Sequence, residues 1–455
     1  MSTNTNDFEC YRVGGFVRDT LLGIEAKDID YVVIGESPET MISRGFAQVG
    51  HFPVFLHPKT QDEYALARSE RSTGEGYADF EYVWEGVSLE EDLKRRDLTI
   101  NAMAMSENGE VFDPYGGRDD LDKRTLRHVS HHFIEDPLRI LRVARFAARY
   151  DFQVAPETRA LMEDMVRQGM LGALSAERFW AETEKAILSD NPRRFFEVLD
   201  ECGALEAVFP ELHAMKGVPQ RVDYHAEGDV WIHTRMVLDE ATSLTRNLSS
   251  HRALRVRLAA LLHDLGKTQT PESELWNEDG SILGRHSGHD DPDRFEPELN
   301  ALAKRIKMPG EYKQFAYRCA LAHQKIHRIR DMSGRGLVSL YDDLDLSRTL
   351  RHDNTFLEDM AMMCLADNLG RRTLRPDGSI EQPLRYRQGP WFVEIMTAIH
   401  ALPVGLWMKD QMGKGITLDN AKSVVLGQRR GFANGLMKRI EQSLQSVQPE
   451  TEIAP

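Results

Sequence analysis

The sequence predicts an α+β fold with its strands confined to the first third of the chain. Two observations carry this. Residues 8–150 mix short apolar runs (YVVIG, FPVFL, EYALAR, EVFDPY) with helical stretches and Gly/Pro turns. From about residue 137 the period becomes helical, in PLRILRVARFAARY, AERFWAETEKAIL, PRRFFEVLDECGAL and RALRVRLAALLHDLG, and few strand signals follow. The expected architecture is a small N-terminal mixed β-sheet with helices, followed by an all-α remainder.

A chain of 455 residues is too long for one ordinary core. The expected parts are 1–150, 151–220, 221–372 and 373–455. Breaks are suggested by VPQRVDYHAEGD (218–229) and RPDGSIEQP (375–383). Residues 70–90 are polar, contain Gly and have no clear period, so they read as a mobile loop. Residues 268–295 read as a long loop within the helical region, and the end after about 444 as disordered. With 41% hydrophobic and 28% charged residues the chain reads as soluble and globular. No apolar run approaches the length of a membrane span, and MSTNTNDFEC lacks a secretory pattern. Cys10, Cys202, Cys319 and Cys364 lie far apart, as expected of reduced cytosolic thiols. The expected location is therefore the cytoplasm, with no membrane partner. The net charge of −15 excludes a protein that is basic all over. Residues 124–149 are an exception, with six arginines against two acids.

The first strand region is YRVGGFVRDTLLGIEAKDIDYVVIG, residues 11–35. In a strand, Asp28 and Asp30 would face the same side. Two carboxylates so placed repel unless a cation sits between them, and hard oxygen ligands suit Mg²⁺. The alternative is a solvated strand end. Gly14-Gly15 matches neither the P-loop nor the dinucleotide spacing. Glycines there still let a phosphate approach the backbone, within reach of Arg18. A plain turn is the alternative.

The helix expected in EDPLRILRVARFAARY opens on Glu135, Asp136 and Pro137. At about 100° per residue, Arg139, Arg142, Arg145 and Arg149 fall within roughly a third of its circumference. No i+4 acid faces them. The stripe reads either as a solvated face or as a surface whose counterion is a polyphosphate.

With these stretches in view, the chain resembles the class II tRNA nucleotidyltransferases, specifically the bacterial CCA-adding enzymes with an HD domain. The resemblance rests on VGGFVRDTLLG, KDIDYVVIG, FPVFLHPKTQDEYALAR, EDLKRRDLTINA, DPYGG, EDPLRILRVARFAARY, LSAERFWAETEKAIL and HDLGK, in family order over roughly residues 11–290. It implies a nucleotidyltransferase head (1–150), a helical neck that binds nucleotide and tRNA (151–220), an HD phosphohydrolase-like domain (221–372) and a helical tail (373–455). It implies that Asp28 and Asp30 bind catalytic Mg²⁺, and that Gly15 and Arg18 hold the triphosphate. Arg96 and Asp97 would contact the nucleotide. Asp136 and Arg139 would read the base edge of CTP or ATP, with Arg142 and Arg145 completing the contacts. The implied reaction adds C, C and A to the 3′ end of tRNA without a nucleic-acid template. Residues 70–90 supply the loop that CC-only enzymes of the family tend to lack. A basic strip including Arg178, Arg193 and Arg194 is expected to meet tRNA.

LAALLHDLGK places His263-Asp264 at the end of an apolar helix, with His233 30 residues earlier and Asp367 later. One imidazole, a His-Asp dyad and a distant Asp can surround a divalent metal that activates water. Core packing is the alternative. The resemblance implies phosphatase and 2′,3′-cyclic phosphodiesterase activity with Ni²⁺ or another divalent transition metal. It offers His286, His289 and His323 as further candidates. The family's H-G-H-G stands here as His286-Ser287-Gly288-His289, and its later H-D as His323-Gln324. Rival readings are a poly(A) polymerase, a CC-only or A-only enzyme, or chiefly an HD phosphohydrolase. A monomer or weak homo-oligomer is expected.

Overall fold

The computed structural model describes residues 8–26, 29–50, 53–72 and 80–446. Asp28 and the tip of the expected loop, 73–79, lie outside them. The chain divides into two compact units, 1–210 and 211–455.

The N-terminal unit is built on a mixed sheet of β1 (Cys10–Val13), β2 (Asp30–Val33), β3 (Ala47–Gln48), β4 (Val54–Leu56) and β5 (Glu63–Leu66), with β8 (Ala104–Met105) and β9 (Val111–Phe112). The strand order is β3-β4-β5-β2-β1-β8-β9. Only the β2–β5 pair is parallel. The apolar run after Asp30 is continuous because both faces of β2 are covered. Val32 packs with Val13, Leu93 and Ala104 on one side. Val33 packs with Met41, Phe46, Phe55 and Leu66 on the other. Residues 70–90, expected as a loop, instead contribute a hairpin of β6 (Ser69–Ser72) and β7 (Phe80–Val83). Ser-Glu-Arg-Ser has no apolar alternation, so the first of these strands leaves no periodic signal.

Helix Leu138–Tyr150 follows the sheet and packs against helices Ala176–Ile187 and Pro192–Glu201. Its Ile140, Leu141, Val143, Ala144 and Ala147 are fully buried.

The second unit is helical. Helices Val230–Leu244, Ser250–Leu262, Gly310–His327 and Phe356–Gly370 pack on one another. Helix Leu418–Ser446 runs through the start of the tail that the sequence reads as disordered. It docks where Gly334 comes so close to the Arg430 carbonyl that a Cβ would overlap it. Residues Gln388–Gly413 are long and apolar enough to cross a membrane, against the sequence expectation. They form two helices, Gln388–His400 and Val404–Gly413, broken before Pro403. Phe392, Ile395, Met396 and Ile399 of the first are buried in this unit.

Candidate functional sites

A cleft of about 560 Å³ opens beside β1 and β2 in the N-terminal unit. Gly15, Arg18, Asp30, Arg96, Asp97, Asp136, Arg139, Arg142 and Arg145 all line it, so it gathers every described site residue expected in the first 150. Gly14 has φ +65°, a left-handed conformation that favours glycine, and a Cβ there would lie 2.9 Å from Arg96 Nη1. The helix it caps, Gly15–Leu21, aims buried Arg18 into the wall. Arg18 donates to Asp19 at 2.8 Å and to Asn101 at 2.5 Å, and its guanidinium lies over the Phe146 and Tyr150 rings.

Asp30 opens β2 and is exposed to the cleft. In register across the parallel pair stands Glu63, which sequence reasoning missed. Burial, then the Asp30 charge, pushes the Glu63 carboxyl up. Two carboxylates on adjacent strands at an open cleft make a donor set that a hard cation fits.

The arginine stripe is neither a bare solvated face nor unpartnered. Arg142 donates to Asp97 at 2.7 Å, Arg149 to Asp19 at 3.1 Å, and Arg145 to Glu182 in a short pair. Arg139 donates to the carbonyls of His132 (2.8 Å) and Arg95 (2.6 Å). The acids come from distant parts of the chain, which is why no i+4 pattern reveals them. Burial raises the Asp97 carboxyl, but Arg142 and the Asn101 amide outweigh it and hold the group well below the carboxylate range. These contacts fix the guanidiniums before any ligand arrives. Asp136 accepts from the Leu138 amide (3.0 Å) and from Arg178 (2.6 Å). Arg178, expected on a tRNA strip, thus lines the cleft and braces Asp136. Arg193 and Arg194 are held by Glu197, and Arg194 also by Glu201. A strip using them would have to break internal pairs.

In the second unit His233, His263, Asp264 and Asp367 converge, and all four are buried. His289 and His323 join them, whereas His286 is turned away toward Thr270 and the Pro219 carbonyl. Four imidazoles share one pattern. Nδ1 of His263 faces the Ala260 carbonyl (2.8 Å), that of His289 the His286 carbonyl (2.7 Å), that of His323 the Ala320 carbonyl (2.9 Å), and that of His233 the Glu227 carboxylate (2.9 Å). Those oxygens can only accept, so each Nδ1 carries a proton, and in the neutral ring Nε2 presents the lone pair. The lone pairs meet acceptors: His233 Nε2 is 3.1 Å from Asp367, His263 Nε2 is 3.2 Å from Asp264, and His289 Nε2 is 3.2 Å from His323 Nε2. His263 Nε2 and both Asp264 carboxylate oxygens are buried without a hydrogen bond, although Lys267 Nζ lies 2.6 Å from one of them. Facing lone pairs repel unless a cation lies among them, so this donor set fits a divalent metal. Glu227, which the sequence reading placed in a linker, accepts from both His225 and His233. His327 donates to Asp367 at 2.6 Å and is itself bonded to Tyr386. These residues orient the ligands.

Three family models match the chain: "Poly A polymerase head domain" over 10–127, "Probable RNA and SrmB- binding site of polymerase A" over 151–216, and "HD domain" over 230–345. A multifunctional CCA protein of Paraburkholderia phymatum is 49% identical over 370 residues, covering 79% of this chain and 84% of that one. Its counterpart in Mannheimia succiniciproducens is 46% identical over 368 residues, covering 80% and 84%. Among solved structures, an apo CCA-adding enzyme matches with a TM-score of 0.61 at 18% identity over 96% of this chain and 92% of that one. A CCA-adding enzyme in complex with ATP matches at 0.55 and 19% identity over 98% and 91%. At these identities the structures show the fold alone.

Proposed function

Since this chain belongs to the family of multifunctional CCA proteins, nucleotidyltransferases that carry an HD domain, we propose that it adds C, C and A to the 3′ end of tRNA from CTP and ATP. The tRNA 3′-hydroxyl attacks the α-phosphorus, the bond to the β-phosphate oxygen breaks, and pyrophosphate leaves. Arg18 and the backbone at Gly15 hold the triphosphate, with Arg142 and Arg145 along its path and Arg96 and Asp97 at the nucleoside. Asp136 accepts from, and Arg139 donates to, the base edge. Such a pair admits C or A without a template strand. Asp28 and Asp30 hold Mg²⁺, which supplies charge neutralisation at the phosphates.

The observation that carries this reading is the wall formed by Asp136 and Arg139. Both line the cleft, and both are anchored by protein groups. The layout that goes with it is head 1–150, neck 151–220, HD domain 221–372 and tail 373–455, in a cytoplasmic monomer or weak homo-oligomer with no membrane partner. The test is incubation with tRNA ending at position 73, Mg²⁺ and labelled nucleotides singly and together. Incorporation should take two C, then one A, and stop. Long A tails would indicate a poly(A) polymerase, arrest after CC a partial enzyme, and no incorporation would refute the transferase reading.

A second activity is favoured by the converging Nε2 lone pairs of the HD centre. We assign it phosphatase and 2′,3′-cyclic phosphodiesterase chemistry with Ni²⁺ or a similar metal, held by His233, His263, Asp264 and Asp367. The metal supplies an activated water. Hydrolysis of a cyclic phosphate that appears only on adding Ni²⁺ after chelation checks this.

A further inference from the structure

The second unit holds a cleft that neither activity uses. It measures about 610 Å³ and lies among helices Ser250–Leu262, Gly310–His327, Leu346–Thr349 and the start of Phe356–Gly370. Its floor is made by Arg255, Arg318 and the buried rings of Phe315 and Phe356, and its rim by Arg348 and His352.

The charges here do not balance. Both lining carboxylates are already taken. Asp353 is paired with Arg255, and Glu311 lies 3.0 Å from His251. Arg255 is in turn saturated by buried Asp359 and by Thr355. Arg318 has only the Thr349 hydroxyl, 2.9 Å away, and the face of the Phe356 ring. Among the described residues no carboxylate comes within ion-pair distance of Arg318 or Arg348. Asp345 and Asp353 act on Arg318 only from farther off. Burial lowers the affinity of the Arg318 guanidinium for its proton, as expected of a cation held in a partly dry wall without a counterion. In a chain of net charge −15, two cations left open at one concavity are the reverse of what chance pairing would give.

We infer that this cleft binds the phosphate of a small phosphate-bearing ligand, with Arg318 and Arg348 as its charge-assisted donors and Thr349 and His352 beside them. The volume admits either free phosphate or a mononucleotide. The site is separate from the HD centre, though it shares helices with it. Arg255 precedes His263 and Phe356 precedes Asp367 by about 12 and 16.5 Å along their helices, and Arg318 precedes His323 by about 7.5 Å, at about 1.5 Å per residue.

Titration calorimetry of the full chain in EDTA, with inorganic phosphate and separately with CMP, tests this. Chelation removes the metal from the HD centre, and the head is the same in every variant. In the double variant Arg318→Met/Arg348→Met, one phosphate-binding event of the wild type should weaken at least tenfold. Arg348→Gln, a change at an exposed side chain that leaves the fold intact, should weaken it several-fold. Equal loss for phosphate and CMP identifies free phosphate as the ligand; a larger loss for CMP identifies a mononucleotide. Isotherms unchanged by Arg348→Gln, and by the double variant if it folds, would overturn the assignment.

Discussion

The head cleft and the HD centre hold their charges in opposite ways. In the first, guanidiniums line about 560 Å³ of open space, each steadied by an acid, a ring or a carbonyl behind it. In the second, lone pairs of imidazoles and carboxylates face one another at 3.1–3.2 Å with almost no room between them. An open surface of fixed cations awaits a large anion such as a nucleoside triphosphate. A closed knot of donors awaits a small cation. Carboxylates serve both, behind arginines in the head and among imidazoles in the HD centre. What differs is the partner they face.

The strongest way to break this contrast is to remove a partner from behind an arginine. Glu182 is 5% exposed and pairs directly with buried Arg145. Glu182→Ala strands that charge and should cost the N-terminal unit about 3–5 kcal/mol, read from its urea midpoint. The HD unit should melt unchanged. On the other side, Glu227→Gln weakens the grip on the Nδ1 proton of His233 and should lower metal affinity about 10–100-fold by competition with a chelating dye. Nucleotide addition should be untouched.

Arg139→Ala should reduce discrimination between CTP and UTP by about 1–3 kcal/mol, measured as the ratio of kcat/KM values. Triphosphate binding should change less than that ratio, because Arg18 and Arg142 remain. The smallest effect expected is on acid stability. The Asp97 carboxyl sits below its usual range in the folded chain. Its stabilisation is therefore complete above the unfolded value of about 4 and is lost as the pH falls below it. The stability gap between wild type and Asp97→Asn should narrow below about pH 4. A gap that widened there would place Asp97 in a different environment.

Much of this was legible in the sequence, for local reasons. Gly14, Gly15 and Arg18 lie within one turn, and His263-Asp264 closes an apolar helix, so short spacings carry them. What was missed comes from long-range pairing. Arg142, Arg145 and Arg149 looked unpartnered because Asp97, Glu182 and Asp19 lie 45, 37 and 130 residues away. Glu63 reaches Asp30 only through the parallel β2–β5 register, and Tyr386 reaches the HD centre only through His327. The strand at 69–72 was unreadable because Ser-Glu-Arg-Ser leaves no period. Asp28 falls outside the described residues, so the pairing of Asp28 with Asp30 still rests on the sequence.

The two centres should act independently of one another. Asp30→Ala and His263→Ala should each be measured in both assays, nucleotide incorporation into tRNA and metal-dependent hydrolysis of a 2′,3′-cyclic phosphate. The predicted result is a crossing. Asp30→Ala should lose incorporation by about a thousandfold or more, some 4 kcal/mol, and keep hydrolysis, while His263→Ala does the reverse. A single substitution that silenced both activities would contradict it.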